Sequence, residues 1–344
     1  MVRTFGTLAD GHQAQLYKIA SASLTAWVTD YGATLVQLWV PDKDGIPGDV
    51  VLGYDDVSGY EQDTNAMGGT VGRCANRIAG ARFEINGTEY KLVPNDGENS
   101  LHSLPDGYHK RLWQVSHRDD SSVTFTLFSP HLDQGFPGDC QVSVTYSVQG
   151  AALTITYEGL SSRDTIFNLT NHSFFNLAGH DKGSKAMNQV LTLPGSVFVP
   201  ANSASIPLGE ERSVDGTVMD FRSGKPIGAD IERDYICLQL QGGFDHTYAV
   251  SSVPCAVLRD AESGRTMKLE TDCPGLHFYC GNYLSGEQGK NGAIYSRRSG
   301  ICLEPHFYPD AIHNPQWKQP VIRAGVPYRS QTKYSFDEIN RAIT

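Results

Sequence analysis

The sequence predicts an all-β protein, a large antiparallel β-sandwich with long loops and few short helices. Three observations carry that prediction. Short runs alternate apolar and polar residues at period two. Turn formers punctuate these runs, with 35 glycines and 17 prolines among 344 residues. No segment shows the roughly ten- to fifteen-residue amphipathic period that strand–helix–strand units require.

Along the chain, DDVSGYEQD (55–63) predicts a helical turn or two, and FEING (83–87) followed by TEYKLV (88–93) reads as strand. VTFTLF (123–128) is a further strand. The clearest signal follows: Val142, Val144, Tyr146 and Val148 alternate with Ser143, Thr145 and Ser147, and after QGA the pattern resumes at Leu153, Ile155 and Tyr157. That is a hairpin with one buried face. LTLPGSVFVP (191–200), AVLRD (256–260) and MKLET (267–271) read as strands between turn signals, and DEINRAI (337–343) predicts a short closing helix. With no internal repeat, low-complexity segment or compositional break, residues 1–344 are expected to form one domain.

Composition excludes several functions. The formal net charge is −10 with charges of both signs scattered, so no basic face is available for a phosphate backbone or anionic lipid. The start MVRTFGTLADGHQ lacks a signal-peptide core, and no run approaches the roughly 20 apolar residues of a membrane span, so a soluble, cytoplasmic protein is expected. The seven cysteines are widely spaced without a CxxC pair, which reads as buried, incidental thiols rather than a zinc knuckle or disulfide framework.

The polar residues that sit awkwardly in such a chain are the candidates for function. In NLTNHSFFNLAGH (168–180), strand alternation puts Leu169, Asn171, Ser173 and Phe175 on one face and Thr170, His172, Phe174 and Asn176 on the other. Burying unpartnered amides and imidazoles costs about 1–3 kcal/mol each, so they either satisfy one another around a core histidine or line a wet concavity. His102 sits in a loop, ENSLHSLPDG, as a binding group or an ordinary surface histidine. Asn76 and Arg77 lie among small residues, and the arginine fork suits hydroxyls, carboxylates or a structural salt bridge. Asp245 can accept polyol hydroxyls or cap a turn. Glu304 closes the apolar run GICLE before Pro305, which predicts an extended, buried glutamate at a strand end. Of these residues it has the weakest structural explanation.

No HExxH or other tight ligand pair occurs among the 11 histidines, so no metal is expected. The absence of GxSxG, GxxxxGK[ST] and a strand–GxGxxG–helix context removes serine hydrolase, nucleotidase and dehydrogenase readings.

Taken together, VGRCANRIAGARF, NSLH, NLTNHSFFNLAG, GFDH, PGLHFYCGNYL and CLEPHFYPDAIHNP, in this order across residues 71 to 315, resemble the aldose 1-epimerase (galactose mutarotase) family. YGATLVQLWVPDKDG and IRAGVPYRSQTKYSF are similar to the family's first sheet and terminal strand. The resemblance implies a β-supersandwich with an open sugar cleft, no cofactor, and a free monosaccharide as substrate of a monomer or homodimer. It implies Glu304 as general base, His172 as general acid and His102 as a second active-site histidine. Asn76, Arg77 and Asp245 match the substrate-binding positions, and His277 stands where many members carry glutamine. Ser103-Leu104, His109 and Pro305-His306 depart from the common pattern and bear on substrate range.

The chemistry agrees with this set. Anomer exchange takes the proton from the C1 hydroxyl, protonates the ring oxygen, turns C1 in the open aldehyde and reverses. A glutamate near pKa 4.3 and a histidine near 6.5, kept protonated by the carboxylate, are expected to supply base and acid. Phe174, Phe278, Tyr279 or Phe307 are candidates for an apolar wall, with core packing the commoner fate. The alternatives are a non-catalytic sugar-binding module, a glycoside hydrolase using Glu304 and Asp245, and a mutarotase of phosphorylated sugars.

Overall fold

A computed structural model describes residues 1–337, and three antiparallel sheets dominate it. A nine-stranded sheet runs Gln114–Arg118, Ser122–Ser129, Cys140–Gln149, Ala152–Ser161, Tyr328–Phe336, Thr266–Thr271, Ala256–Arg259, Val190–Thr192, Lys225–Pro226 in spatial order. A six-stranded sheet runs Phe174–Phe175, Ile301–His306, Gly275–Tyr279, Asp245–Ala249, Val197–Val199, Arg212–Ser213. The chain's first 49 residues supply a five-stranded sheet from Val2–Thr7 to Pro47–Asp49.

The period-two runs fold as their pattern dictates. Val142, Val144, Tyr146 and Val148 are all buried, and Cys140–Gln149 pairs with Ala152–Ser161 residue for residue. Arg82–Ile85 and Thr88–Lys91 close through Asn86 and Gly87, both at positive φ (53° and 76°), the geometry a two-residue hairpin requires of Asn-Gly. The helix at Val57–Gln62 starts where Asp56 accepts a hydrogen bond from the Ser58 N–H.

Three expectations need correction. LTLPGSVFVP is two strands: Val190–Thr192 belongs to the nine-stranded sheet and Val197–Val199 to the six-stranded one, with Pro194-Gly195 carrying the chain between layers. The 168–180 stretch also divides, Thr170–Asn171 pairing with Thr70–Val71 and Phe174–Phe175 pairing with the strand of Glu304. Glu304 is inside its strand, which continues through Pro305; that residue lies beyond the reach of Phe174–Phe175, so its missing donor costs no ladder bond there. A second helix, Ile236–Gln241, ended by Gly242 at φ 67°, was not anticipated. Beyond Asp337, the helix expected over 337–343 lies outside the described residues.

One continuous core draws on all three sheets, including Leu35 and Leu38, Val144 and Ile155, and Phe278 and Leu303. Phe175 packs on Tyr334 with ring centroids 5.1 Å apart, joining the six- and nine-stranded layers. The six-stranded sheet therefore has two distinct faces. Ile301, Leu303, Leu276, Phe278 and Tyr248 point into this core, and their alternating neighbours point the other way. Leu303→Ala is expected to lose about 2–5 kcal/mol of stability, read by urea denaturation, while the folded protein keeps the opposite face intact. Among the described residues no helix is long and apolar enough to cross a membrane.

Candidate active site

The second face of the six-stranded sheet is the floor of a cleft, and its residues fall into rows set by strand register. Phe174 pairs with Cys302, Cys302 with Tyr279, and Tyr279 with Asp245. Two residues along, Glu304 pairs with His277, and His277 with Thr247. Because side chains alternate, both rows share one face. A cleft open to solvent lies over them and is lined by Asn76, Arg77, His102, His172, Asp245, His277 and Glu304. All seven residues singled out from the sequence thus meet in one place.

His172 stands between the two short strands of its stretch, where the main chain leaves one pairing for the other. Its N–H donates to the Gly69 carbonyl and its carbonyl accepts from the Gly68 N–H. At Gly69 a Cβ would come 2.6 Å from that of His109, so glycine is what lets this segment pass between His109 and the His172 main chain. The imidazole then sits over the floor, packed against Phe174 (centroids 5.1 Å), His102 (5.4 Å) and Tyr279 (6.3 Å). Its Nε2 is 3.6 Å from Glu304 Oε1, and its Nδ1 is 3.6 Å from Cys302 Sγ.

Glu304 is 1 % exposed, and its Oε2 has no hydrogen-bond partner among the described residues. Burial, aided by the nearby negative charge of Asp245, pushes its pKa well above the usual carboxylate range. Burial also pulls His172 down to about 4, against a smaller upward pull from a hydrogen bond to its own carbonyl, with His277 lowering it and Asp245 raising it by less. The expectation that the carboxylate keeps the imidazole charged is corrected here: loss of hydration outweighs it.

His102 is held differently. Its Nδ1 accepts the Asn76 N–H at 3.2 Å and its own N–H returns to the Asn76 carbonyl at 3.1 Å. Burial, then the charges of His172 and His109, hold its pKa well below the ordinary value, so the ring is neutral. With Nδ1 accepting, the proton is on Nε2, and His102 is a fixed donor. Asn76 adopts φ 60°, tolerable for asparagine, and leads into the short pairing of Arg77–Ile78 with Ser100–Leu101. Arg77 Nε donates to Asp96 at 2.7 Å, and no protein hydrogen bond among the described residues engages Nη1 or Nη2. The salt bridge is realised, and the arginine lines the cleft with its two terminal nitrogens uncommitted among the described residues.

Asp245 Oδ1 lies 2.6 Å from His277 Nε2, and His277 Nδ1 lies 2.8 Å from Thr247 Oγ1. Burial alone would raise the Asp245 pKa; the His277 contact and charge outweigh it and hold the carboxyl below the usual range. Both nitrogens of His277 are thus engaged by protein, and His306 stacks on it at 5.5 Å. Among the departures, Leu104 lines the cleft and Ser103 Oγ bridges the main chain of Cys74, whereas His109 is buried.

Sequence reasoning missed Cys302, Tyr283, Thr247 and the Thr64–Ala66 loop, which also shape the cleft. Cys302 and Tyr279 lie two residues from Glu304 and His277, so the strand period alone could have placed them on this face. Of the suggested aromatics, Phe174 and Tyr279 line the cleft and Phe278 is core. Asn168, Asn171 and Asn176 hold loops rather than sugar or imidazole: Asn168 bridges Ala75 and Phe307, Asn171 binds Gly68, and Asn176 ties Gly183 to Ser299.

His172, Cys302 and Glu304 bring potential ligand atoms within 4.8 Å of one another. Glu304 and Cys302 nonetheless address different ring nitrogens, and burial keeps the Cys302 thiol protonated, above all through lost hydration. That donor set fits a hydrogen-bonded chain better than a metal centre, whose thiolate must be deprotonated.

A family model described as aldose 1-epimerase matches residues 15–335. A galactose mutarotase of Mus musculus is 38 % identical over 340 residues, spanning 96 % of this chain and 97 % of that protein. An aldose 1-epimerase of Escherichia coli is 33 % identical, with 95 % and 96 % covered. Among solved structures, an aldose epimerase homologue from C. elegans superposes with a TM-score of 0.85 at 31 % identity, covering 94 % of this chain and 99 % of that one.

Proposed function

The chain belongs to the aldose 1-epimerase family, and from that premise we propose that it interconverts the α and β anomers of a free aldose, with Glu304 as general base and His172 as general acid. One observation carries the assignment of roles: a fully buried carboxylate with one oxygen unpartnered and the other 3.6 Å from an imidazole nitrogen, at the floor of a polar cleft. A buried carboxylate oxygen without a donor is costly, and a sugar hydroxyl supplies the donor.

Burial also tunes the pair for the reaction. In water, moving a proton from imidazolium to a glutamate is uphill by roughly 3 kcal/mol, the difference between pKa values of about 6.5 and 4.3. Here the same lost hydration raises Glu304 and lowers His172, which reverses that order and leaves the pair uncharged in the free cleft; the reaction starts once the sugar's hydroxyls solvate the pair and the Glu304 proton passes to His172. Glu304 takes the C1 hydroxyl proton, the C1–O5 bond breaks as C1=O forms, and His172 Nε2 protonates O5. Rotation about C1–C2 followed by the reverse transfers yields the other anomer. Proton transfer through neighbouring groups suffices, because the sugar itself carries both sites of reaction.

The remaining residues hold the ring so that acid and base bracket C1 and O5. His102 donates from Nε2, the Arg77 fork and Asn76 reach hydroxyls from one wall, and Asp245 accepts from the floor. His277 orients Asp245 between itself and the strand, with Thr247 fixing the ring.

Polarimetry of freshly dissolved α-D-glucose and α-D-galactose tests the proposal. Accelerated decay to the equilibrium rotation is expected; binding of the sugars without acceleration overturns it in favour of a binding module. The same assay across pentoses and hexose 6-phosphates ranks substrates.

A further inference from the structure

Ring opening asks more of His172 than its position. Once the imidazolium has given its Nε2 proton to O5, the neutral ring must carry its remaining proton on Nδ1, so that Nε2 can take the first proton back on closure. Which nitrogen of a neutral imidazole is protonated is set by what the other nitrogen touches, commonly a carboxylate or a main-chain carbonyl. In this cleft the side chain at Nδ1 is a thiol, Cys302 Sγ at 3.6 Å; the histidine's own carbonyl also faces the ring, but it already accepts the Gly68 N–H at 2.9 Å.

We propose that Cys302 is a positioning residue for the acid: its Sγ accepts the hydrogen bond from His172 Nδ1–H and thereby keeps Nε2 as the nitrogen that exchanges protons with the sugar. The inference rests on the reading of Glu304 and His172 as base and acid. Strand register supports it, because Cys302 sits directly between Phe174 and Tyr279 in the floor row, with Glu304 two residues on and on the same face. Its side chain is fully buried, with Sγ against the imidazole. The two neighbours divide the ring between them, carboxyl at Nε2 and sulfur at Nδ1.

A thiol is also the apt chemical choice. A carboxylate behind Nδ1 stabilises imidazolium and weakens it as an acid. A neutral sulfur orients the ring without adding negative charge, and burial holds this thiol protonated. Protons balance throughout: Nδ1 keeps its own, Nε2 gives one to O5 and recovers it, and Cys302 neither gains nor loses one. His102 shows the contrast, since a main-chain N–H on its Nδ1 fixes the opposite tautomer and makes it a donor.

Two variants and one spectrum test the proposal. Cys302→Ala is expected to lower kcat about 10-fold with KM little changed, the scale of losing a histidine-orienting partner, and Cys302→Ser, which keeps an acceptor, is expected to recover most of it. ¹⁵N NMR of histidine-labelled protein, which separates protonated from unprotonated ring nitrogens, is expected to find neutral His172 protonated on Nδ1 in wild type and as a tautomer mixture in the alanine variant. Wild-type kcat in Cys302→Ala, or a wild-type His172 protonated on Nε2, overturns the inference. If the alanine variant does not fold, the wild-type spectrum and the serine variant decide. Glu304→Gln serves as control: retained activity there brings down the acid–base reading itself, whereas lost activity with an unaffected Cys302→Ala defeats only the role of Cys302.

Discussion

Glu304→Gln lowers the mutarotation rate by at least about 10²-fold and leaves the protein folded. The size follows from what an amide cannot do: glutamine has nearly the shape of glutamate, but its oxygen does not hold the C1 proton at neutral pH. The retained fold follows from burial. Among the described residues Glu304 makes no hydrogen bond through Oε2, and the His172 imidazole lies 3.6 Å from Oε1. Removing an ionisable group whose pKa burial pushes well above its usual value relieves the fold of a desolvated acid rather than depriving it of a tie. The urea midpoint is therefore expected to stay level or rise while the polarimetric rate collapses. That opposition separates a catalytic carboxylate from a structural one. Near-full activity in the variant removes Glu304 from the mechanism.

Much of the fold was legible because period two needs no knowledge of distant partners. The hairpin from Cys140 to Ser161 states its own register through a short turn. The cleft floor is assembled otherwise: Glu304 meets His277, and Phe174 meets Cys302, across strands whose pairing depends on the loops between them. Residue types flagged Glu304 and His172 as misplaced in a core, and the ordered motifs supplied their partners. Cys302 passed as an incidental thiol because buried cysteines are common, and all seven are buried here. Only its place opposite Phe174 and beneath His172 distinguishes it. The 168–180 stretch misread as one strand for a related reason. Gly68 and Gly69 capture the main chain of His172, and a backbone bond to residues a hundred positions away leaves no periodic trace.

The protonation of His172 was misjudged because reference pKa values describe solvated groups. A neighbouring carboxylate argues for imidazolium only if that carboxylate is itself charged, and burial acts on both members at once. The corrected picture gives each partner more driving force and leaves less of the pair in the charged form that begins the reaction. An imidazole reluctant to hold its second proton is a better acid, and a carboxyl reluctant to lose its proton is a better base.

His172→Asn is expected to match Glu304→Gln, a loss of at least about 10²-fold, again without unfolding. Asparagine is the informative replacement, because its terminal amide overlays the Nδ1 edge of the ring and stops short of Nε2. It can keep a polar group against Cys302 while removing the atom 3.6 Å from Glu304. If His172 is a core histidine whose task is to fill space among Phe174, Tyr279 and His102, the truncation leaves a cavity and the protein loses stability in proportion. If its task is proton exchange, the fold survives, since the local main chain is tied by Gly68 and Gly69 and the loops around it by Asn168, Asn171 and Asn176. Circular dichroism and a urea titration, run beside polarimetry on the same preparation, read the two outcomes separately. A folded, inactive variant assigns the imidazole to the reaction, and an unfolded one returns it to the core.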